Sequence, residues 1–344
     1  MHNSHQNQNF KLITLGQNWL KKGSQVALAT VINTWGSSPR PIGSQMIFSE
    51  SLKIEGSVSG GCIESEVIEK GLEIIKANHP KVLSFGVSNE TAWNAGLTCG
   101  GEISILVESF NKLSENENFK RFLDALKKRR QVIMIKHLPN GEVFFHIDGH
   151  WLQKKPKIPD RFELNKLLKS NKSYVIDNKW FVQFFPPTPR LIIIGAVHIG
   201  QTLSRMANLC GFDVEIIDPR QAFITKSRFP KQKLFMGWPD ERLKVSPPDK
   251  YSAIVTLSHD PKIDDQAITH ALNSKAFYIA CLGSKKTHLS RLKRLKQKGF
   301  NLSQLSRIMG PAGLPINSKT PPEIAVSIMA QLIQTKEDNK HFYL

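Results

Sequence analysis

A chain of 344 residues is long enough to build two hydrophobic cores, and a hydrophobic share of 40% with 22% charged residues is that of a globular protein rather than a disordered or fibrous one. No apolar run is long enough to span a bilayer. The formal charge of +18, from 47 Lys and Arg against 29 Asp and Glu, implies either a strongly solvated surface or an acidic partner, but neither basic run, residues 127–130 or 285–298, sits in a nucleic-acid-binding module.

The opening decapeptide MHNSHQNQNF lacks the basic start and apolar core of a signal peptide, so the expected compartment is the cytoplasm. The four cysteines, Cys62, Cys99, Cys210 and Cys281, are too few and too scattered for a disulfide scaffold. An amphipathic helix is expected over residues 10–22, then a β-branched strand over 25–34. The loop WGSSPRPIG follows, then strands at 45–48 and near Ile54, and a second loop, GSVSGG. Residues 62–77 read as a helix with Ile63, Val67, Leu72 and Ile75 inside and Glu64, Glu66, Glu69 and Glu73 outside. Strands are expected at 81–87 and 103–107, a helix near 117–130, and strands at 131–136 and 143–147 joined by the turn Asn140-Gly141. Residues 151–177 are irregular and 180–185 form one more strand. PPTPR, residues 186–190, is a stiff connector. The boundary falls there, with an N-terminal mixed α/β domain over 1–185 and a second domain over 190–344.

The second domain begins with the apolar strand LIII, followed at once by GAVHIG and a helix over 199–209. Strands at 213–217, 251–257 and 276–282 alternate with helical patterns, and a last amphipathic helix covers 322–333. This alternation predicts a Rossmann-like, doubly wound parallel sheet. In the basic run 285–298, Leu289, Leu292 and Leu295 recur three apart, which predicts a surface helix with those leucines on its apolar side.

Three constellations carry candidate chemistry. In the first, Gly195, Gly200 and Asp218 match a dinucleotide fingerprint, but Val197 stands where its middle glycine belongs. A side chain there crowds a pyrophosphate, which disfavours NAD(P). Asp218 is a candidate acceptor for a ribose hydroxyl, and Arg220 for an extra phosphate; the alternative is a turn kept only for packing. In the second, the loops carrying Ser37, Ser38, Arg40, Gly60 and Gly61 offer backbone nests and donors for an anion. Cys62 follows at a helix start that favours its thiolate, with Glu64 in the same turn. In the third, Cys99 precedes Gly100 and Gly101, and two such cysteines can converge on one soft metal or sulfur centre or simply be buried beside tight turns. His198, His259 and His288, with Gly283, lie after strands of the second domain, where open α/β sheets bind ligands.

Taken in order, TWGSSPRPIGSQM, GSVSGGCIE, GLTCGGEI, RLIIIGAVHIG, IDPR, CLGSKKTHLSRLKRLKQKGF and GPAGLPINSKTPPEIAVSIMA make the chain resemble the XdhC/CoxF family, maturation factors for xanthine dehydrogenase and related molybdenum hydroxylases. The resemblance is weakest over residues 112–189. It implies an XdhC/CoxI-type N-terminal domain and a chaperone, without catalytic residues, that binds the molybdenum cofactor in its molybdopterin form. Such a protein protects the cofactor, supports exchange of an oxo ligand for a terminal sulfur, and delivers the product. The implied partners are a cysteine desulfurase, an apo-enzyme of the xanthine dehydrogenase type and a second copy of the chain, with no nucleic acid and no membrane. Carried over by motif, Cys62 and Cys99 contact the molybdenum or sulfur end, while Ser38, Arg40, Gly60 and Gly61 hold phosphate or pterin groups. The competing expectation is an NAD(P)-dependent oxidoreductase or a nucleotide-binding regulator that uses the second domain.

Overall fold

The computed structural model describes residues 4–35, 40–61, 63–77, 79–86, 102–159, 165–166, 170 and 172–338. The chain divides into two compact units, Met1–Pro187 and Thr188–Leu344.

The first unit holds two antiparallel sheets. One contains β1 (Val26–Trp35), β2 (Gln45–Ser49), β3 (Ile54–Gly56), β4 (Lys81–Phe85) and β5 (Glu102–Ser109) in the order β3-β2-β1-β5-β4. The other contains β6 (Val132–His137), β7 (Val143–Ile147), β8 (His150–Trp151), β9 (Tyr174–Ile176) and β10 (Trp180–Phe185) in the order β8-β7-β6-β10-β9. Alternation along β1 explains how they are covered. Val26 and Leu28 pack with Ile47, Met134, Phe145 and Phe185 in a core shared by both sheets. Ala27, Ala29 and Val31 point the other way, to Phe48, Ile105 and the helix α2 (Glu64–Ala77). The shared core is closed by α1 (Ser4–Lys21), α3 (Phe110–Ser114) and α4 (Phe119–Lys127), whose Phe110, Phe119 and Phe122 contact one another edge-on or tilted.

Two local expectations change here. The buried side of α2 is Ile63, Val67, Gly71 and Ile74, with Leu72 only half-buried. Gly71 sets this rotation: a Cβ there would stand 2.2 Å from the Phe48 ring, so the helix meets the sheet at its one position without a side chain. Glu64 is not outside but turned back into the preceding loop. The short helix α3 has no apolar period to announce it; Ser109 caps it by accepting from Lys112 N–H.

Between the two sheets lies a buried ion pair, Lys136 with Glu108, both within hydrogen-bond reach and almost without solvent contact. Each sits at a position where alternation calls for an apolar residue. Two such charges leave water at a large desolvation cost that only their pairing offsets.

The second unit is one parallel sheet of six strands: β11 (Arg190–Ile194), β12 (Asp213–Asp218), β13 (Lys233–Met236), β14 (Ser252–Thr256), β15 (Tyr278–Cys281) and β16 (Ile308–Met309). Their order, β13-β12-β11-β14-β15-β16, runs outward on both sides from the first strand, the doubly wound Rossmann topology. The helices α5 (His198–Leu209) and α10 (Pro321–Asp338) cover one face through Leu203, Ala207, Ile328 and Leu332. The other face is covered by α6 (Pro239–Val245), α7 (Pro261–Leu272) and α8 (Lys285–Gln297), through Leu243, Ile268 and Leu295. The four-residue α9 (Leu302–Leu305) precedes β16. Among the described residues no helix is long and apolar enough to cross a membrane.

Helix α8 corrects the leucine reading. Leu289 is 67% exposed, whereas Arg291 is 3% exposed and Leu295 fully buried. Leu292 and Leu295 pack inward as expected, while His288 and Arg291 join them on the inner face and a guanidinium takes the place expected for Leu289.

Replacing Lys136 with Met leaves Glu108 buried without its counter-charge. The expected loss in urea denaturation is about 3–5 kcal/mol, and combining Lys136→Met with Glu108→Leu recovers most of it. Equal stability of the single variant and the wild type would show that the pair is not desolvated.

Candidate functional site

The loop that precedes α2 is organised by Glu64, the first residue of that helix. Its carboxylate accepts backbone hydrogen bonds from Val58 (3.3 Å), Ser59 (3.0 Å), Gly60 (3.1 Å) and Gly61 (2.9 Å). The Ser57 hydroxyl donates to it at 2.7 Å, and the Ser59 hydroxyl donates to its second oxygen. Gly60 and Gly61 have φ of 89° and 123°, the left-handed region in which consecutive N–H groups can turn toward one anion. The loop is thus the nest expected from its glycines, but the anion in it belongs to the protein. Partial burial would raise the carboxyl's pKa; the donors from Ser59 and Ser57 outweigh that and hold it at about 2.

The Gly60 and Gly61 N–H groups and the Glu64 carboxylate are bonded to one another, and these bonds brace the loop. Ser59 completes it by accepting from Ile63 N–H at 3.2 Å, so Gly61 and Ile63, the neighbours of Cys62 in the chain, are both anchored. Arg40 is half-buried at the end of the first loop. Ser37, Ser38, Cys62, Cys99, Gly100 and Gly101 lie outside the described residues. Ser57 and Ser59 were not singled out from the sequence; the signal was the alternation of two serines ahead of paired glycines, seven and five residues before Glu64.

In the second unit the glycine loop is held in the same manner. Asp218, at the end of β12, is fully buried. Its carboxylate accepts from Ala196 N–H at 2.7 Å and from Arg220 three times: N–H at 2.9 Å, Nε at 2.9 Å and Nη2 at 2.8 Å. Burial alone would raise the Asp218 carboxyl; the bonds from Arg220 and Ala196 lower it below its ordinary value. The Arg220 guanidinium also lies 4.5 Å from the Phe223 ring centroid. An aspartate expected to receive a ribose hydroxyl instead binds its own loop and its own arginine, and Arg220 is committed in the same contact. Gly195 has φ 102°, and a Cβ there would stand 2.7 Å from Ser258 N. Gly200 faces the Gly195 carbonyl, where a Cβ would be at 3.3 Å. Val197 is the residue preceding α5 and packs partly against the core. The glycines therefore serve close packing of strand, helix and the β14 loop.

The three histidines differ. His198 and His259 are exposed, the latter at φ 64°. His288 is half-buried, and burial, then the nearby Arg291 charge, lower its pKa. Beside them lie groups that no local pattern reveals: Asp264, 2% exposed and accepting from the Ser258 hydroxyl at 2.6 Å, and Arg291. Among the described residues no group of three or more His, Cys, Asp or Glu side chains could hold a metal ion.

Residues 191–332 match the XdhC Rossmann domain, and residues 19–86 match the XdhC and CoxI family. The chain is 26% identical over 323 residues to a probable xanthine dehydrogenase subunit of Bacillus subtilis (strain 168), covering 92% of this chain and 95% of that protein. It is 24% identical over 317 residues to the molybdenum cofactor insertion chaperone PaoD of Escherichia coli (strain K12), covering 92% of this chain and 85% of the relative. The crystal structure of a xanthine dehydrogenase from Bacillus halodurans is similar with a TM-score of 0.79 at 27% identity, over 95% of this chain and 96% of that one.

Two outcomes are expected from these geometries. Because the folded Glu64 value of about 2 lies below the ordinary 4.5, its stabilisation is complete above 4.5 and disappears as pH falls toward 2. Glu64→Gln should cost about 1–3 kcal/mol at neutral pH. Urea denaturation from neutral pH to pH 2 should show variant and wild type converging; a constant gap would mean that the carboxylate's charge is irrelevant. In the second unit, Val197→Gly alone should not produce NADH or NADPH binding in the micromolar range, since the Asp218 carboxylate stays occupied by Ala196 and Arg220. Micromolar titration of that variant by fluorescence would show that the valine is the sole obstacle.

Proposed function

The chain belongs to the XdhC and CoxI family, and from that premise we propose that it is a chaperone for the molybdenum cofactor, which it carries as cargo. It shields the cofactor, supports its sulfuration with a cysteine desulfurase as donor, and delivers it to an apo-enzyme of the xanthine dehydrogenase type. The observation that carries this reading is that the likeness to a molybdenum cofactor insertion chaperone extends over 92% of the chain and so takes in both units.

The donor chemistry fits the cargo. Cys62 and Cys99 supply soft thiolates for the molybdenum or sulfur end. Ser37, Ser38 and Arg40 supply hydroxyls and a guanidinium fork for the phosphate or pterin end. Gly60, Gly61 and Glu64 do not touch the cargo in this reading; they keep the segment around Cys62 rigid, so that less ordering is lost on binding. A chain of net charge +18 suits an anionic cargo. The protein acts in the cytoplasm as a homodimer. The dinucleotide-dependent alternative loses support because Asp218 and Arg220, the two groups it needs for the ribose end, are bonded to each other.

The test is retention of cargo. Cys62→Ala and Cys99→Ala should keep the circular dichroism of the wild type but co-elute with less molybdenum in anaerobic gel filtration after incubation with purified cofactor. Equal molybdenum in wild type and both variants would remove the cysteines from the site. Absence of molybdenum from the wild type as well would remove the function.

A further inference from the structure

Arg291 is the least explained charged group of the second unit. The residue is 3% exposed, and among the described residues only Nη2 of its three nitrogens has a partner, the Leu282 carbonyl at 3.0 Å. Nε and Nη1 are buried and have no hydrogen-bond partner among the described residues. A guanidinium keeps its charge at any physiological pH, so two missing hydrogen bonds carry a substantial cost. Its acidic neighbours do not meet that need. Asp264 is near enough for its charge to be felt but makes no ion pair with Arg291 and accepts from Ser258 instead; burial pushes its carboxyl up, toward the neutral acid. Asp265 is held by Arg294 at 2.9 Å and 3.0 Å.

The position of the guanidinium is as informative as its missing bonds. Side chains on a helix lean toward its N-terminus, and Arg291 reaches back to Leu282, two residues before Ser284, which caps α8. Ser284 accepts from Thr287 N–H, which leaves the N–H groups of Lys285 and Lys286 without an intrahelical acceptor. The first turn contains no acidic residue and carries two exposed lysines. His288, one turn before Arg291 on the same face, has a buried Nδ1 without a partner among the described residues and sits so close to Gly310 that a Cβ there would be 2.1 Å from that nitrogen. Gly283, at φ 135°, forms the bend between strand and helix. A buried guanidinium short of two acceptors, a helix N-terminus and two lysines thus meet where β15 passes into α8, at the edge of a parallel sheet where ligands bind.

We propose that this junction is an oxyanion site for the phosphate monoester of a small ligand, held by Arg291 and the first N–H groups of α8, with Lys285 and Lys286 supplying outer positive charge. The phosphate position of the second unit is therefore displaced from the glycine loop, where a dinucleotide would place it, to the opposite side of β14. The site does not depend on the molybdenum cofactor reading: inorganic phosphate alone is a sufficient probe.

The experiment is titration of the full chain with sodium phosphate against sodium chloride at matched ionic strength, read by calorimetry and by the Arg291 Nε–H resonance in ¹⁵N-labelled protein. The wild type should saturate with phosphate and shift that resonance. Lys285→Ala with Lys286→Ala should fold normally and weaken binding by about three- to ten-fold, and Arg291→Gln by at least about ten-fold. Lys293→Ala with Lys296→Ala, further along the same helix, should bind as the wild type does. No saturation by the wild type, an unmoved Nε–H signal, or equal weakening by both lysine pairs would overturn the proposal. If Arg291→Gln does not fold, the resonance and the two lysine pairs decide. Molybdenum retention is a separate readout, so loss of one property leaves the other measurable.

Discussion

The Glu64 carboxylate accepts from four successive backbone N–H groups, from Val58 to Gly61, and the Asp218 carboxylate accepts from Ala196 and from the Arg220 side chain and backbone. The same interaction organises both units: a carboxylate of the chain is folded into a glycine-rich loop that could otherwise hold an external anion. A nest of N–H groups is a fixed positive potential, and leaving it empty and partly buried is costly. Filling it internally converts a flexible loop into a rigid one.

Rigidity has different consequences in the two units. In the first it anchors the residues on either side of Cys62. In the second it engages the Asp218 carboxylate with Ala196 and Arg220, in a sheet whose strand order is that of the doubly wound dinucleotide-binding topology. Topology brings the strand ends together; which side chains remain free there decides what they bind. Positive charge follows the same logic. Arg190, Arg220 and Arg307 are spent on carbonyls and carboxylates of the chain, whereas two nitrogens of Arg291 are not.

Much of the fold was legible in the sequence because it is local. The run LIII reads as a strand buried on both faces, and the β-branched, apolar run over 25–34 matches β1 (Val26–Trp35), which is pleated between two cores. The helix over 62–77 was correct in kind but rotated, since its period does not reveal that Gly71 rests on Phe48, a contact across 23 positions of sequence. The leucine period of 285–298 held for Leu292 and Leu295 but failed at Leu289 for a related reason. Hydrophobicity ranks Leu289 inside and Arg291 outside, but Arg291 reaches the Leu282 carbonyl from the inner face.

By itself, then, the sequence determined the two-part organisation, the glycine loops and their nest-forming backbone, and the family, because each rests on residue types at short, ordered spacings. Only the tertiary structure decided whose anion each loop holds. Glu64 and Asp218 were visible as acidic residues near glycines, yet whether a carboxylate turns outward to a ligand or inward to its own backbone depends on distances that chain spacing leaves open. The Asp218 contact with Ala196 N–H joins residues 22 positions apart, and the buried Lys136 and Glu108 pair joins residues 28 apart. Charges like these become partners when packing removes water and makes leaving either one alone the costlier state.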